Sequence, residues 1–128
     1  MTKIKLCGLS RPRDILAANQ LRPEYIGFVF APESKRYIAP KGAAELKELL
    51  DPNIQAVGVF VNETAETVAR LLNRGVIGAA QLHGQEDETY ISRLRNRIKA
   101  DAPLIQAFSI RTKEDVFRAV KSSADLIL

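Results

Sequence analysis

Short apolar runs alternate with longer amphipathic stretches from Lys3 to Leu128. Residues 3–7, 25–30, 56–61, 77–82 and 104–108 are rich in branched and aromatic side chains and read as strands, and a sixth run starts at Asp125. The run over 25–30 is nearly all apolar, the mark of a strand covered on both faces. Between the runs, residues 11–21, the stretch after Pro40, 64–73, 86–99 and 113–121 carry apolar residues at helical spacing. Leu46, Leu49 and Leu50 form one such stripe, and Ile91, Leu94 and Ile98 another. Ser10, ahead of Pro12, is the expected N-cap of the first helix. Gly75 is the expected stop of the third.

Strands that alternate with helices build a parallel sheet with helices packed on it, an α/β fold. Chemistry in such sheets collects at the carboxyl ends of the strands. No glycine- or serine-rich linker divides the chain, so residues 1–128 read as one domain. A (β/α)8 barrel needs eight units, usually over roughly 200 residues or more. About five and a half units are present here. An open doubly wound sheet fits the length, but no glycine-rich phosphate fingerprint follows the first strand. The final Leu126-Ile127-Leu128 run also reads as a strand that expects a neighbour. The pattern therefore leaves an open sheet and an incomplete parallel barrel both open, and the bare apolar last run reads as cut rather than capped.

Composition narrows the picture only slightly. A hydrophobic content of 46% with 27% charge is that of an ordinary globular domain. The net charge of +4 suits an anionic small molecule as well as a nucleic acid. Arg93, Arg95, Arg97 and Lys99 lack interleaved aromatic residues that stack bases, and read as a solvated helix face opposite Glu86, Asp87 and Glu88. No nucleic-acid partner is expected. One cysteine allows no internal disulfide and fits a reducing compartment. The first residues lack the apolar core of a signal peptide, and no run reaches the roughly 20 residues of a membrane span. The expectation is a cytoplasmic protein with no membrane partner.

Three residues at strand ends stand out. Cys7 closes the first strand just before Gly8. A cysteine there is ordinarily a small buried hydrophobe. The functional reading is a thiolate base or nucleophile, with Lys5 and Arg36 as neighbouring cations and Gly8 admitting a ligand to the backbone. Arg36 lies in the longest connection, 31–39. It is either a solvated loop cation or a clamp on a carboxylate or phosphate. His83, the one histidine, ends the fourth strand before Gly84 and a helix start, which favours contact with a ligand. Asn62 and Ser109 are weaker candidates that serve equally well as caps of the helices that follow. No cysteine–histidine cluster suggests zinc.

Four motifs, in order, make the chain resemble the phosphoribosylanthranilate isomerases of tryptophan synthesis. They are Lys5-Leu6-Cys7-Gly8-Leu9, the stretch 26–32 with Ser34-Lys35-Arg36-Tyr37-Ile38, Val57-Gly58-Val59-Phe60-Val61-Asn62, and Gln81-Leu82-His83-Gly84. The resemblance covers essentially the whole chain. Leu6 stands where isoleucine is commoner in the family, and Ser10 where threonine is. The resemblance implies a (β/α)8 barrel and a cofactor-free Amadori rearrangement of a phosphorylated substrate. It casts Cys7 as the general base, Arg36 as the holder of the anthranilate carboxylate, and His83 as a residue beside the site. It places the general acid, an aspartate just past the sixth strand, and two glycine-rich phosphate loops beyond Leu128. The 128 residues alone are thus expected to be inactive, and to self-associate through the open edges of the first and sixth strands. The alternative reading is a non-catalytic half-barrel that self-associates or binds a small anion. Ile4, Phe28 and Val59 are the expected inner-face residues.

Overall fold

A computed structural model of the chain describes residues 1–99 and 101–128. Strands and helices alternate as β1 Lys5–Cys7, α1 Pro12–Leu21, β2 Tyr25–Val29, α2 Pro40–Leu49, β3 Gln55–Phe60, α3 Ala65–Asn73, β4 Ala79–Leu82, α4 Glu88–Arg95, β5 Leu104–Gln106, α5 Lys113–Lys121 and β6 Leu126–Ile127. Every strand pairs in parallel with the next, giving the order β1-β2-β3-β4-β5-β6. A doubly wound sheet reverses its order at a switch point. This order never reverses, which is the topology of a barrel wall.

The sheet has two differently furnished faces. Ile26, Phe28, Phe60, Leu82 and Leu104 are fully buried against Ile15, Leu46, Val68, Ile91 and Leu94 of the helices. Each such side chain stabilises the fold by about 1.5–3 kcal/mol. Gly58 is required in this layer: a Cβ there would lie 2.7 Å from Ile77 Cδ1 and 2.8 Å from Phe60 Cε2. Phe60 stacks on Phe30 with ring centroids 5.2 Å apart. The opposite face carries a smaller cluster of Val29, Ala31 and Val59 with Cys7. Val59 therefore sits on the inner face as expected, whereas Phe28 does not. Phe28 is in register with Gly58, one residue out of phase with Val29 and Val59, and so points to the helices. Ile4 precedes β1 and is exposed.

Helix ends depart from the sequence reading in instructive ways. The N-cap of α1 is Arg11, not Ser10. Asp14, in the first turn, accepts from the Ser10 and Arg11 amides at 3.2 and 3.1 Å and pairs with the Arg11 guanidinium at 3.0 Å. A carboxylate inside the helix thus does the capping, favoured by the positive end of the helix dipole. The Arg11 side chain, followed by those amides, holds the Asp14 carboxyl below the usual range. Thr64 and Thr112 cap α3 and α5, so Asn62 and Ser109 do not. Leu49 is exposed while Leu46 and Leu50 are buried. Of the basic row, Arg95 ties α4 to Asp125 at 2.9 Å, and Arg97, just past the helix, pairs with Glu66 of α3 at 2.9 Å. Glu86 does not belong to that helix at all: Asp87 caps α4 and Glu86 is buried ahead of it. No helix among the described residues is long and apolar enough to cross a membrane.

Candidate functional site at the carboxyl ends of the strands

Cys7 is the last residue of β1, half-buried against Val29, Ala31 and Val59 on the inner face. Its strand neighbour is Gly27. A Cβ on Gly27 would approach Cys7 Sγ to 2.7 Å, so glycine makes the room in which the thiol sits. The chain then turns through Gly8 at φ +86°, a conformation that suits glycine, with the Gly8 amide donating to Gly27 O at 2.9 Å.

Gly8 also makes room for Arg36. A Cβ at Gly8 would lie 2.4 Å from Arg36 Cδ and 2.6 Å from Nη1, so the arginine lies directly over the backbone that follows Cys7. Arg36 Nη1 donates to the Cys7 carbonyl at 3.0 Å. The loop that carries it is folded on itself: Ser34 N donates to Ala31 O at 3.0 Å, Tyr37 N to Ser34 O at 3.1 Å, and Arg36 N to Ser34 Oγ at 3.1 Å. Ile38 N closes the loop onto Val29 O at 2.9 Å, with the Ile38 side chain buried. A guanidinium has five N–H donors, and this contact uses one. Among the described residues, the Nε and Nη2 donors have no hydrogen-bond partner.

His83 follows β4, and its amide donates to Phe60 O at 2.9 Å. Its ring Nδ1 lies 3.2 Å from Gln81 Nε2, and Gln81 Oε1 in turn accepts from Lys5 Nζ. Lys5 is on β1 and Gln81 on β4. Three inter-strand steps cover about 14 Å along a flat sheet. Side chains meet across that distance only because the sheet curls around its inner face. His83 also lines a cavity of about 620 Å³ between the ends of β4, β5 and β6, with Gly84, Glu86, Phe108, Arg118 and Leu128 among the other walls. Cys7 and Arg36 are not part of that cavity's lining. The structure thus seats the Arg36 guanidinium on the backbone of Cys7, and links His83 to the strand of Cys7 through Gln81 and Lys5.

Two contributors escape a reading of the sequence. Gln81 is 3% exposed and carries the link just described. Glu86, 7% exposed, accepts from the Asn62 amide at 2.8 Å and from the Gly84 amide at 2.7 Å. Asn62 has φ +53° and its Oδ1 accepts from Gln85 N at 2.7 Å. These bonds clamp the loops after β3 and β4 to each other. The available signal was a carboxylate two residues past Gly84, just ahead of an aspartate that caps a helix. No group of three or more potential metal ligands occurs among the described residues.

Comparison with known proteins shows the family. The family described as N-(5'-phosphoribosyl)anthranilate (PRA) isomerase matches residues 4–128. A relative from Endomicrobium trichonymphae, named N-(5'-phosphoribosyl)anthranilate isomerase, is 44% identical over 128 residues, which is 100% of this chain and 61% of the relative. The crystal structure of phosphoribosyl anthranilate isomerase from Thermus thermophilus superposes with a TM-score of 0.84 at 32% identity, covering 98% of this chain and 60% of that one. A phosphoribosyl anthranilate isomerase in complex with reduced 1-(o-carboxyphenylamino)-1-deoxyribulose 5-phosphate superposes at 0.83 with 34% identity, covering 94% and 60%. The chain therefore spans about three fifths of the length of these proteins.

Proposed function

Because the chain belongs to the N-(5'-phosphoribosyl)anthranilate isomerase family, we propose that the protein it represents isomerises N-(5'-phosphoribosyl)anthranilate to the ribulose form in tryptophan synthesis. The observation that carries the reading is the Arg36 guanidinium seated over Gly8 and bonded to the backbone carbonyl of Cys7, at the strand ends where such sheets do chemistry. Isomerisation moves hydrogen within one molecule. An acid opens the ribosyl ring to an iminium, and a base removes the C2′ proton. The electron pair of that C–H bond becomes the C1′–C2′ double bond, and a proton returned to C1′ yields the ketone at C2′. Cys7 is the base in this scheme. Its Sγ sits at the open end of β1 beside the gap left by Gly27. Arg36 takes the substrate's carboxylate with the free side of its fork, and His83 offers a hydrogen bond from the far wall. No cofactor enters the scheme. The test is conversion of the purified substrate by the whole protein. Absence of turnover from a folded whole protein would sink the reading.

Arg36 yields a prediction of its own. Charge-assisted hydrogen bonds are worth about 1.5–3 kcal/mol, so Arg36→Ala in the whole enzyme should raise KM by roughly 10- to 100-fold. Arg36→Lys should recover only part of this, since an ammonium cannot form the bidentate pair. Steady-state kinetics checks both, and an unchanged KM for Arg36→Ala would rule out the clamp.

The exposed apolar residues support a second expectation. Leu126, Ile127 and Leu128 are 50%, 48% and 62% exposed at the β6 edge, and α5 leaves Val116, Phe117 and Val120 uncovered. An apolar strand edge without a charge or proline pairs readily with another chain. The 128-residue chain should therefore self-associate, with a mass by light scattering that rises with concentration. A constant monomer mass across the dilution series would refute this.

A further inference from the structure

The inner face of the sheet holds a polar chain of which the isomerisation scheme uses only the last member: Lys5, then Gln81, then His83. Its direction is dictated by chemistry. A lysine ammonium carries three donors and no acceptor. The atom of the Gln81 amide that faces Lys5 must therefore be the oxygen, and Oε1 does face Nζ. With the oxygen committed, the amide turns its NH2 group to the other side, where Nε2 lies 3.2 Å from His83 Nδ1. An NH2 group only donates. Nδ1 must then be the acceptor, the ring nitrogen with a free lone pair, and in the neutral imidazole the proton must sit on Nε2. Gln81 is 3% exposed and flanked in register by Val59 and Ile105, so water does not readily relieve it of this orientation.

We propose that Lys5 and Gln81 are positioning residues that set the tautomer of His83, so that the imidazole presents Nε2–H as a hydrogen-bond donor to an oxygen of the bound substrate. That His83 faces substrate rests on the isomerase reading above; the tautomer does not. Lys5 never touches His83. It acts through the amide, by allowing only one of its two orientations. The functional consequence is a donor ready at the carboxyl end of β4 before the ligand arrives, where a freely exchanging ring would offer a lone pair part of the time. This also gives Lys5 a role apart from supplying charge near Cys7, since its ammonium points across the face to β4.

The chain contains a single histidine, so its imidazole can be read without assignment. The experiment is long-range 15N–1H correlation of the ring nitrogens in the substrate-free chain at about pH 8, above the ordinary imidazole range of about 6.5. The wild-type chain should show its proton on Nε2. Lys5→Arg, which keeps a donor-only cation, should keep that pattern. Lys5→Glu places an acceptor-only carboxylate before the amide, which should turn its NH2 toward the new carboxylate and its oxygen toward Nδ1. The proton should then shift to Nδ1, although the altered residue makes no contact with the ring. Gln81→Glu should produce the same shift directly, and it decides the matter if Lys5→Glu fails to fold. A wild-type proton on Nδ1 overturns the proposal. So does an unchanged Nε2 proton in a folded Lys5→Glu or Gln81→Glu chain. None of these measurements needs turnover, so a failed tautomer prediction is separable from a failed isomerase reading.

Discussion

Replacing Cys7 with alanine in the whole enzyme is expected to lower kcat by about 10² or more while leaving the fold in place. The size follows from the proposed role. A general base contributes typically 10²–10⁴-fold, and the apolar side chains packed with the thiol, Val29, Ala31 and Val59, offer no substitute. The retained fold follows from the packing. The thiol is half-buried at the end of a three-residue strand, so the loss is one sulfur atom at the rim of a small cluster. Cys7→Ser should not rescue turnover, because a hydroxyl is a far weaker acid than a thiol and gives almost no anion near neutral pH. KM should move less than it does for Arg36→Ala, because the Arg36 side chain stays in place over Gly8. Circular dichroism establishes the fold and steady-state kinetics the rate. Near-normal turnover in a folded Cys7→Ala enzyme would remove Cys7 from the mechanism.

The sequence made the βα alternation and the convergence of Cys7 and Arg36 legible because both are local matters. Run length and composition mark the strands, and parallel order puts all their carboxyl ends on one side. Boundaries were less legible where a side chain from elsewhere intervenes. β1 begins at Lys5 rather than Lys3, and the Ile4 amide is taken by the Glu24 carboxylate at 2.7 Å. The fourth helix spans Glu88–Arg95 rather than 86–99, since Asp87 caps it and Glu86 is drawn into the preceding loop. Which face Phe28 occupies depends on strand parity, and an all-apolar strand gives no polar residue from which to count. The Lys5–Gln81–His83 link was beyond sequence reasoning for a different cause. It joins residues 76 positions apart and exists only because the sheet is curved.

Glu86→Ala is expected to destabilise the chain by about 2–4 kcal/mol, the largest stability effect of any single polar residue near the site. Its carboxylate accepts from two backbone amides in two different loops, Asn62 N at 2.8 Å and Gly84 N at 2.7 Å. Alanine leaves both donors without a partner in a partly buried place, and each unsatisfied donor costs about 1–3 kcal/mol. Neither loop can compensate by moving closer. A Cβ at Gly84 would already lie 2.8 Å from Asn62 N, so the two backbones are at contact, and Asn62 is held at φ +53°. Glu86→Gln should cost less, since one amide oxygen still accepts, but its NH2 must then face the other backbone N–H. The backbone carbonyl of Glu86 also receives Gln106 Nε2 at 2.7 Å, and that bond survives both substitutions. The clamp therefore acts through the carboxylate alone, and urea unfolding should order the chains as wild type, then Glu86→Gln, then Glu86→Ala. For a domain of this size the alanine change corresponds to roughly 5–20 °C in Tm. In the whole enzyme the same change should also raise KM, because the clamped loop carries His83 and Gly84 into the wall of the cavity. Wild-type stability in Glu86→Ala would mean that water satisfies both amides and that the loops after β3 and β4 hold their shape without the carboxylate.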